Sequence, residues 1–116
     1  MKNIRYVAQG EYHITTDANT VLFTCGMTEC IAMEFIDKNN PNNRLLTHLD
    51  GAILFDETTS KKNTELLVSE FQKMTETEEF DIHLLGGRQS TANVTTGNIN
   101  QITLALKNLN LSIASL

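Results

Sequence analysis

Short stretches rich in β-branched and aromatic residues alternate with polar turns along the first half of the chain. The clearest stretches are residues 20–24, 30–37 and 44–49. Their short length and their valine, isoleucine and phenylalanine content are typical of strands. An asparagine-rich turn at 38–43, which contains Pro41, separates the last two stretches. We therefore expect 30–37 and 44–49 to form an antiparallel hairpin.

The second half of the chain has a different rhythm. Apolar residues at helical spacing predict a first helix over about residues 61–74, after the capping residues 58–60, and a second over 98–107. Segments 80–85 and 109–114 predict strands. The order predicts one α+β domain over the whole chain, built as an α/β/β sandwich-like fold: a mixed sheet with two helices on one face. The apolar positions of the first helix are Leu67, Val68, Phe71 and Met74.

Composition narrows the class of protein but not its chemistry. The 116 residues are 41% hydrophobic and 20% charged, which is typical of a globular domain and excludes general disorder. The net charge of -5 gives no electrostatic reason to bind nucleic acid or a membrane surface, so we expect neither as a partner. The first ten residues lack the apolar core of a Sec signal peptide, and no stretch is apolar enough to cross a bilayer. The expected location is the cytoplasm, or outside the cell after export without such a peptide.

Three residues near the predicted hairpin carry functional groups that can act together. Cys30 begins the first hairpin strand, His48 lies on the second, and Thr24 ends the preceding strand. Antiparallel pairing puts residues 34–36 opposite 45–47, so His48 falls toward the strand end where Cys30 begins. An oxygen of Thr24 is then placed to orient the imidazole. The alternative is that the cysteine is only a small core residue, which is the commonest fate of a lone cysteine.

These groups are suited to attack by sulfur on a carbonyl. The thiolate is the nucleophile, and an ordinary thiol with a pKa of about 8.5 is mostly protonated at neutral pH. A neighbouring imidazolium favours the thiolate and later gives a proton to the leaving group, while a third group holds the ring in one tautomer. Backbone N–H groups around Glu29 and Cys30 are candidates for an oxyanion hole. The reaction class is formation of a thioester that water then hydrolyses.

Three short motifs occur in order along the chain, at residues 24–30, 46–51 and 82–87. They read Thr-Cys-Gly-Met-Thr-Glu-Cys, Leu-Thr-His-Leu-Asp-Gly and Ile-His-Leu-Leu-Gly-Gly. In this order they resemble the core of the protein N-terminal asparagine amidohydrolase family, and the resemblance covers about residues 20–115. The threonine, cysteine and histidine of the first two stretches are also similar to those of the chemoreceptor glutamine deamidases of bacterial chemotaxis. They are similar, too, to the catalytic core of bacterial toxins that deamidate a glutamine of a host protein.

The resemblance implies a cysteine amidohydrolase that converts a side-chain carboxamide to the acid and releases ammonia, without a cofactor. The implied partner is a protein substrate that carries Asn or Gln, and an internal Gln, an internal Asn and an N-terminal Asn all remain open. Cys30 matches the nucleophile, His48 the general base and acid, and Thr24 the residue that orients His48. The positions expected to contact substrate are Asp50, Gly51, Gly86 and Gly87. Of these, Asp50 would pair with a substrate α-amine or simply cap its turn.

Other functions remain open for the same residues. Cys25 and Cys30 with His48 and His83 would make a Cys2His2 metal site, although four residues separate the cysteines where metal knuckles usually have two. The same spacing argues against a redox pair. A non-catalytic protein-binding module with this fold is the third alternative. We interpret Cys25 itself as a structural residue.

Overall fold

In the described part of the chain, two helices, a four-stranded sheet and a two-stranded sheet form three layers. The computed structural model describes residues 3–25, 31–49, 57–86, 102–107, 109, 111 and 114. Within this part of the chain the strands are β1 (Asn3–Tyr6), β2 (Tyr12–Thr15), β3 (Thr20–Phe23), β4 (Ile31–Asp37), β5 (Arg44–Leu49) and β6 (Phe80–Gly86). The helices are α1 (Glu57–Thr75) and α2 (residues 102–107). The expected α+β fold in a single domain is confirmed.

The larger sheet has the strand order β2-β5-β4-β6, and all its neighbouring strands are antiparallel. The predicted hairpin is present as β4 and β5, with Ala32 opposite His48. At one end of the sheet, Ile31 is paired with Leu49 on one side and with Gly86 on the other. These three residues form a cross-strand row, which we call the end row. The motif stretches 46–51 and 82–87 therefore reach the same end of one sheet, and the stretch 24–30 directly precedes Ile31 in the sequence.

Both helices pack on one face of this sheet. Alternate residues of β4, β5 and β6 point to that face because successive side chains of a strand point in opposite directions. Phe71 of α1 contacts the rings of Phe35 and Phe80, with centroids 5.5 and 5.1 Å away. Burial of each such side chain contributes about 1.5–3 kcal/mol, which makes this cluster the main core. Its buried members are Ile31, Met33, Phe35, Leu45, Leu49, Leu67, Val68, Phe71, Phe80, Ile82, Leu84, Ile102 and Leu106.

The opposite face of the sheet is covered by the smaller sheet, in which β1 and β3 are parallel. Val7, just after β1, packs with Ala32 and Leu46 of the larger sheet, and Leu22 of β3 lies against them. The four-stranded sheet is antiparallel throughout and the two-stranded sheet is parallel. The predicted combination of strand directions is therefore found in two separate sheets and not in one mixed sheet. His48 shares a face with Leu46, since the two are two residues apart on β5, so the histidine lies between the two sheets.

A buried carboxylate closes the β4–β5 hairpin. Asp37 is only 3% exposed, and its oxygens accept hydrogen bonds from the Asn43 side chain at 2.9 Å, the Asn39 backbone N–H at 2.9 Å and the Thr77 hydroxyl at 3.0 Å. Burial raises the pKa of Asp37, but these hydrogen bonds outweigh it and leave the pKa below its ordinary value. The network ties the hairpin turn to the segment between α1 and β6.

Three sequence predictions differ from the structure. Helix α1 begins at Glu57, so residues 58–60 lie inside the helix and do not cap it. Met74 is 60% exposed, because helical spacing does not reveal where the surface that covers a helix ends. Leu109, Leu111 and Ala114 do not lie in a strand, although the Ala114 N–H donates to the Ile82 carbonyl at 2.7 Å. The other residues of the predicted strand 109–114 lie outside the described residues.

Candidate functional site

The structure brings together two of the predicted site residues, Thr24 and His48. Thr24 directly follows β3, and its side chain points inward like that of Leu22 because the two are two residues apart. His48 lies on the facing side of β5 and is 3% exposed. The Thr24 Oγ1 is 2.9 Å from the His48 Nδ1, which is a good hydrogen-bond distance. The pairing that the sequence predicted for these residues is therefore present.

A backbone carbonyl decides where the proton of this pair lies. The Thr24 hydroxyl has one hydrogen, and it donates that hydrogen to the Val7 carbonyl oxygen, 2.7 Å away. Since a carbonyl only accepts, the same Oγ1 must accept from the imidazole. The hydrogen-bond network therefore assigns the proton to Nδ1 of His48. In the neutral ring the other nitrogen, Nε2, then has a free lone pair and can accept a proton.

The His48 Nε2 atom is buried and has no hydrogen-bond partner among the described residues. A buried polar atom without a partner costs about 1–3 kcal/mol, and in native proteins such atoms are few. An imidazole held at one nitrogen and open at the other is the arrangement of a general base. The orphaned nitrogen is thus the strongest indication of function in the part of the chain that the structure describes.

The backbone of His48 is held by the turn at residues 8–11. The Gly10 N–H donates to the His48 carbonyl at 2.8 Å, and the His48 N–H donates to the Glu11 carbonyl at 3.2 Å. The Thr47 hydroxyl adds a hydrogen bond of 2.8 Å to the same Glu11 carbonyl. Gly10 adopts a φ of 81°, a left-handed conformation that glycine accepts without strain. Together with the pairing to Ala32, these bonds fix β5 from both sides at the histidine.

The remaining predicted site residues belong to the end row or to its continuation along the chain. Gly86 is the last residue of β6 and is paired with Ile31. In the sequence, Cys30 directly precedes Ile31, and Asp50 directly follows Leu49. The predicted nucleophile and three of the four predicted substrate contacts lie outside the described residues: Cys30, Asp50, Gly51 and Gly87.

Cys25 differs from its sequence interpretation as a structural residue. It is an exposed free cysteine. Its Sγ lies 3.9 Å from the hydroxyl of Tyr6, and this hydrogen bond, together with repulsion between the phenolate and an ionised Cys25 sulfur, raises the pKa of the phenol above its ordinary value. The sequence interpretation was wrong because cysteine is buried on average, and an average says nothing of a residue at the end of a short edge strand.

The described residues contain neither a cluster of metal ligands nor a membrane-spanning helix. Within them, no group of three or more His, Cys, Asp or Glu side chains is placed to hold a metal ion. His83 is paired with Glu34, two residues along β4 from the position opposite His48. No helix in the described ranges is both long and apolar enough to cross a bilayer.

No protein-family model and no curated protein matches the sequence of this chain. The site is therefore defined by its own geometry and by the motif stretches. Residues that sequence reasoning missed include Val7 and Glu11, which act through backbone carbonyls. Any residue type supplies such a carbonyl, so no side-chain pattern marks them. The one available signal was Gly10, whose position between two β-rich stretches is typical of a turn.

Proposed function

We propose that the protein is a cysteine-dependent amidohydrolase. It hydrolyses the side-chain carboxamide of a protein Asn or Gln to the acid, through a thioester on Cys30, and releases ammonia. The observation that carries the proposal is the His48 imidazole, which is held at Nδ1 by Thr24 and has a buried Nε2 without a partner in the described part of the chain. Nε2 is free to accept a proton. The reaction therefore needs one more group beside it, a nucleophile that gives up its proton to Nε2.

Cys30 is the residue that the chain offers for that role. It is bonded to Ile31, the first residue of β4, and it is two residues from Ala32, the partner of His48. We infer that Cys30 continues the alternation of β4, in which residues two apart share a side of the sheet, and that it therefore faces the same way as Ala32 and His48. Diagonal neighbours on paired strands have Cα atoms about 7–8 Å apart, a distance that an imidazole can span. We propose this diagonal contact as the catalytic pair.

The proposed reaction has two halves. The Cys30 thiol gives its proton to Nε2, and the thiolate attacks the carboxamide carbon. The resulting imidazolium returns the proton to the leaving nitrogen, the C–N bond breaks, and ammonia departs from a thioester. Water then loses a proton to Nε2, attacks the thioester carbon and displaces the thiolate. The imidazolium returns its proton to the sulfur, and the acid product loses its proton to water to become a carboxylate. Thr24 contributes by accepting from Nδ1–H throughout, so the ring cannot turn its lone pair away.

Substrate contacts are proposed at the end row. Gly86 is paired with Ile31 and has no side chain to keep a substrate backbone away, and Gly87 follows it in the sequence as Asp50 and Gly51 follow Leu49. A non-catalytic binding module of this fold would have no use for a buried imidazole nitrogen without a partner. A metal site would need further ligands beside Nε2, and the described residues supply no such group.

The proposal is tested by product formation on three peptide classes, with N-terminal Asn, internal Asn and internal Gln. We expect ammonia release and a mass gain of about one dalton, the change from amide to acid, in at least one class. The Cys25→Ser variant leaves Cys30 as the single thiol. Alkylation of this thiol with iodoacetamide is expected to end turnover. A chelator is expected to leave the turnover of the unalkylated protein unchanged, because the proposed reaction uses no metal. Full turnover by the alkylated protein would overturn the proposal.

A second expectation concerns the ring-orienting hydroxyl. Thr24→Val keeps the side-chain shape but removes the acceptor for Nδ1–H, and a charge-assisted hydrogen bond of this kind is worth about 1.5 kcal/mol. We expect kcat to fall about tenfold with KM unchanged, because the imidazolium forms only during the reaction. Thr24→Ser retains the hydroxyl and is expected to retain most of the activity. Equal kcat for the valine variant and the wild type would contradict this role.

A further inference from the structure

We propose that Glu11 is a positioning residue that fixes the tautomer of His48 through the turn at residues 8–11. The inference deepens the proposed function and rests on it for its effect on turnover, but not for its effect on the imidazole. Glu11 is exposed, and its side chain accepts a hydrogen bond from the Ala8 backbone. Its influence comes from what its main chain and carboxylate hold in place.

The turn is the common support of both members of the Thr24–His48 pair. At its start, the Val7 carbonyl accepts the Thr24 hydroxyl at 2.7 Å. At its end, the Gly10 N–H donates to the His48 carbonyl at 2.8 Å and the Glu11 carbonyl accepts the His48 N–H at 3.2 Å. The path from hydroxyl to imidazole therefore runs through only five residues of chain. Any widening of the turn changes the separation of Oγ1 and Nδ1.

The Glu11 side chain closes this turn. Its Oε1 accepts the Ala8 N–H at 3.0 Å, and the Glu11 N–H donates to the Ala8 carbonyl at 3.0 Å. The two bonds join the same pair of residues across the turn in both directions. A carboxylate that accepts a backbone N–H makes a stronger bond than a neutral acceptor does. Within the described residues, this carboxylate is the only side chain that braces the turn from inside it.

Loss of the brace acts on the proton position. When Thr24 holds Nδ1–H, the Nδ1-protonated tautomer is favoured, and Nε2 is free to act as a base. When the hydroxyl moves away, the ring is free to populate the Nε2-protonated form, which cannot accept a proton from a thiol. Glu11→Ala removes the brace, whereas Glu11→Gln keeps an oxygen that accepts the Ala8 N–H.

The matched control is Asp17, a second exposed carboxylate that braces a turn. Its oxygens accept the Asn19 N–H at 2.8 Å and the Thr20 hydroxyl at 3.1 Å, just before β3. Asp17→Ala therefore removes the same kind of bond from a turn that does not bind His48. Comparison of the two alanine variants separates positioning of the imidazole from a general loss of stability.

The experiment measures the 15N shifts of the His48 ring at about pH 8.5, roughly two units above the ordinary imidazole pKa, with His13→Gln and His83→Gln variants to assign the signals. We expect Glu11→Ala to lower the ratio of the Nδ1-protonated to the Nε2-protonated form about fivefold, and Glu11→Gln and Asp17→Ala to leave it near the wild-type value. An unchanged ratio in Glu11→Ala, or an equal change in Asp17→Ala, would overturn the inference. If the ratio falls but no variant turns over any carboxamide, the proposed function fails and the positioning role stands.

Discussion

Replacing His48 with glutamine is expected to lower kcat/KM for carboxamide hydrolysis about a thousandfold. Glutamine has a donor that can still reach the Thr24 oxygen, but it has no nitrogen that can take up a proton at neutral pH. General acid–base catalysis is typically worth about 10²–10⁴-fold, and in the proposed reaction His48 acts in both halves. The loss is expected in kcat, because the base is needed after the substrate has bound.

The measurement is ammonia release under substrate saturation, together with the rate at which iodoacetamide labels Cys30 in a Cys25→Ser background. Both rates are expected to fall, since the thiolate loses its proton acceptor. His13→Gln is the matched control, because His13 is paired with Leu46 on the same sheet and is not part of the proposed chemistry. The thermal unfolding curve shows whether the His48→Gln variant is folded. A folded variant with kcat/KM within tenfold of the wild-type value would refute the role.

The hairpin that carries His48 was predictable because a turn fixes a register. The asparagine-rich stretch 38–43 left little freedom in how β4 and β5 pair, and the predicted alignment differs from the observed one by about one residue. Local sequence therefore sufficed for the part of the site that is built on a hairpin.

The parts that escaped prediction depend on backbone groups and on distant segments. The Val7 carbonyl that assigns the imidazole proton is supplied by the chain, not by a side chain, and its partner is 17 residues away. The turn at 8–11 binds His48 across 37–38 residues of sequence, and no periodic pattern reports such a contact. Covering of the sheet by β1 and β3 was equally invisible, because strands of four residues carry too little pattern to assign a face.

The buried carboxylate at the far end of the hairpin was also missed, although it follows from ordinary physical chemistry. Asp37 ends β4 beside the turn, where an aspartate usually remains in water. Here Thr77, 40 residues later, completes a set of donors that satisfies both oxygens. The hairpin that carries His48 is thus stabilised at one end by the hydrogen bonds to the Asp37 carboxylate and at the other end by the turn at residues 8–11.

Asp37→Ala is accordingly expected to lower the free energy of unfolding by about 3 kcal/mol near neutral pH. The change removes hydrogen bonds to a charged acceptor and takes the acceptor from the buried Asn43 amide, while the Thr77 hydroxyl keeps only the longer bond of 3.2 Å to the Glu79 carbonyl. Asp81→Ala is the matched control nearby, since Asp81 is half exposed and makes only a 3.8 Å ion pair with Lys38. A surface pair contributes less than about 1 kcal/mol. Urea unfolding of the three proteins measures the difference, and equal losses in the two variants would contradict the network.

The pH dependence of that difference gives the sharper test. The pKa of Asp37 is lower in the folded protein than the ordinary value of 3.8, so the folded state binds its proton less tightly than the unfolded chain does. The contribution of the carboxylate to stability is therefore fully present above the ordinary pKa and is lost as the pH falls through the folded pKa. Unfolding curves for the wild type and Asp37→Ala are expected to lie far apart at neutral pH and to move closer together as the pH falls below the ordinary pKa of 3.8. A gap that stays constant into the acid range would mean that the alanine variant loses packing alone, because lost packing does not titrate.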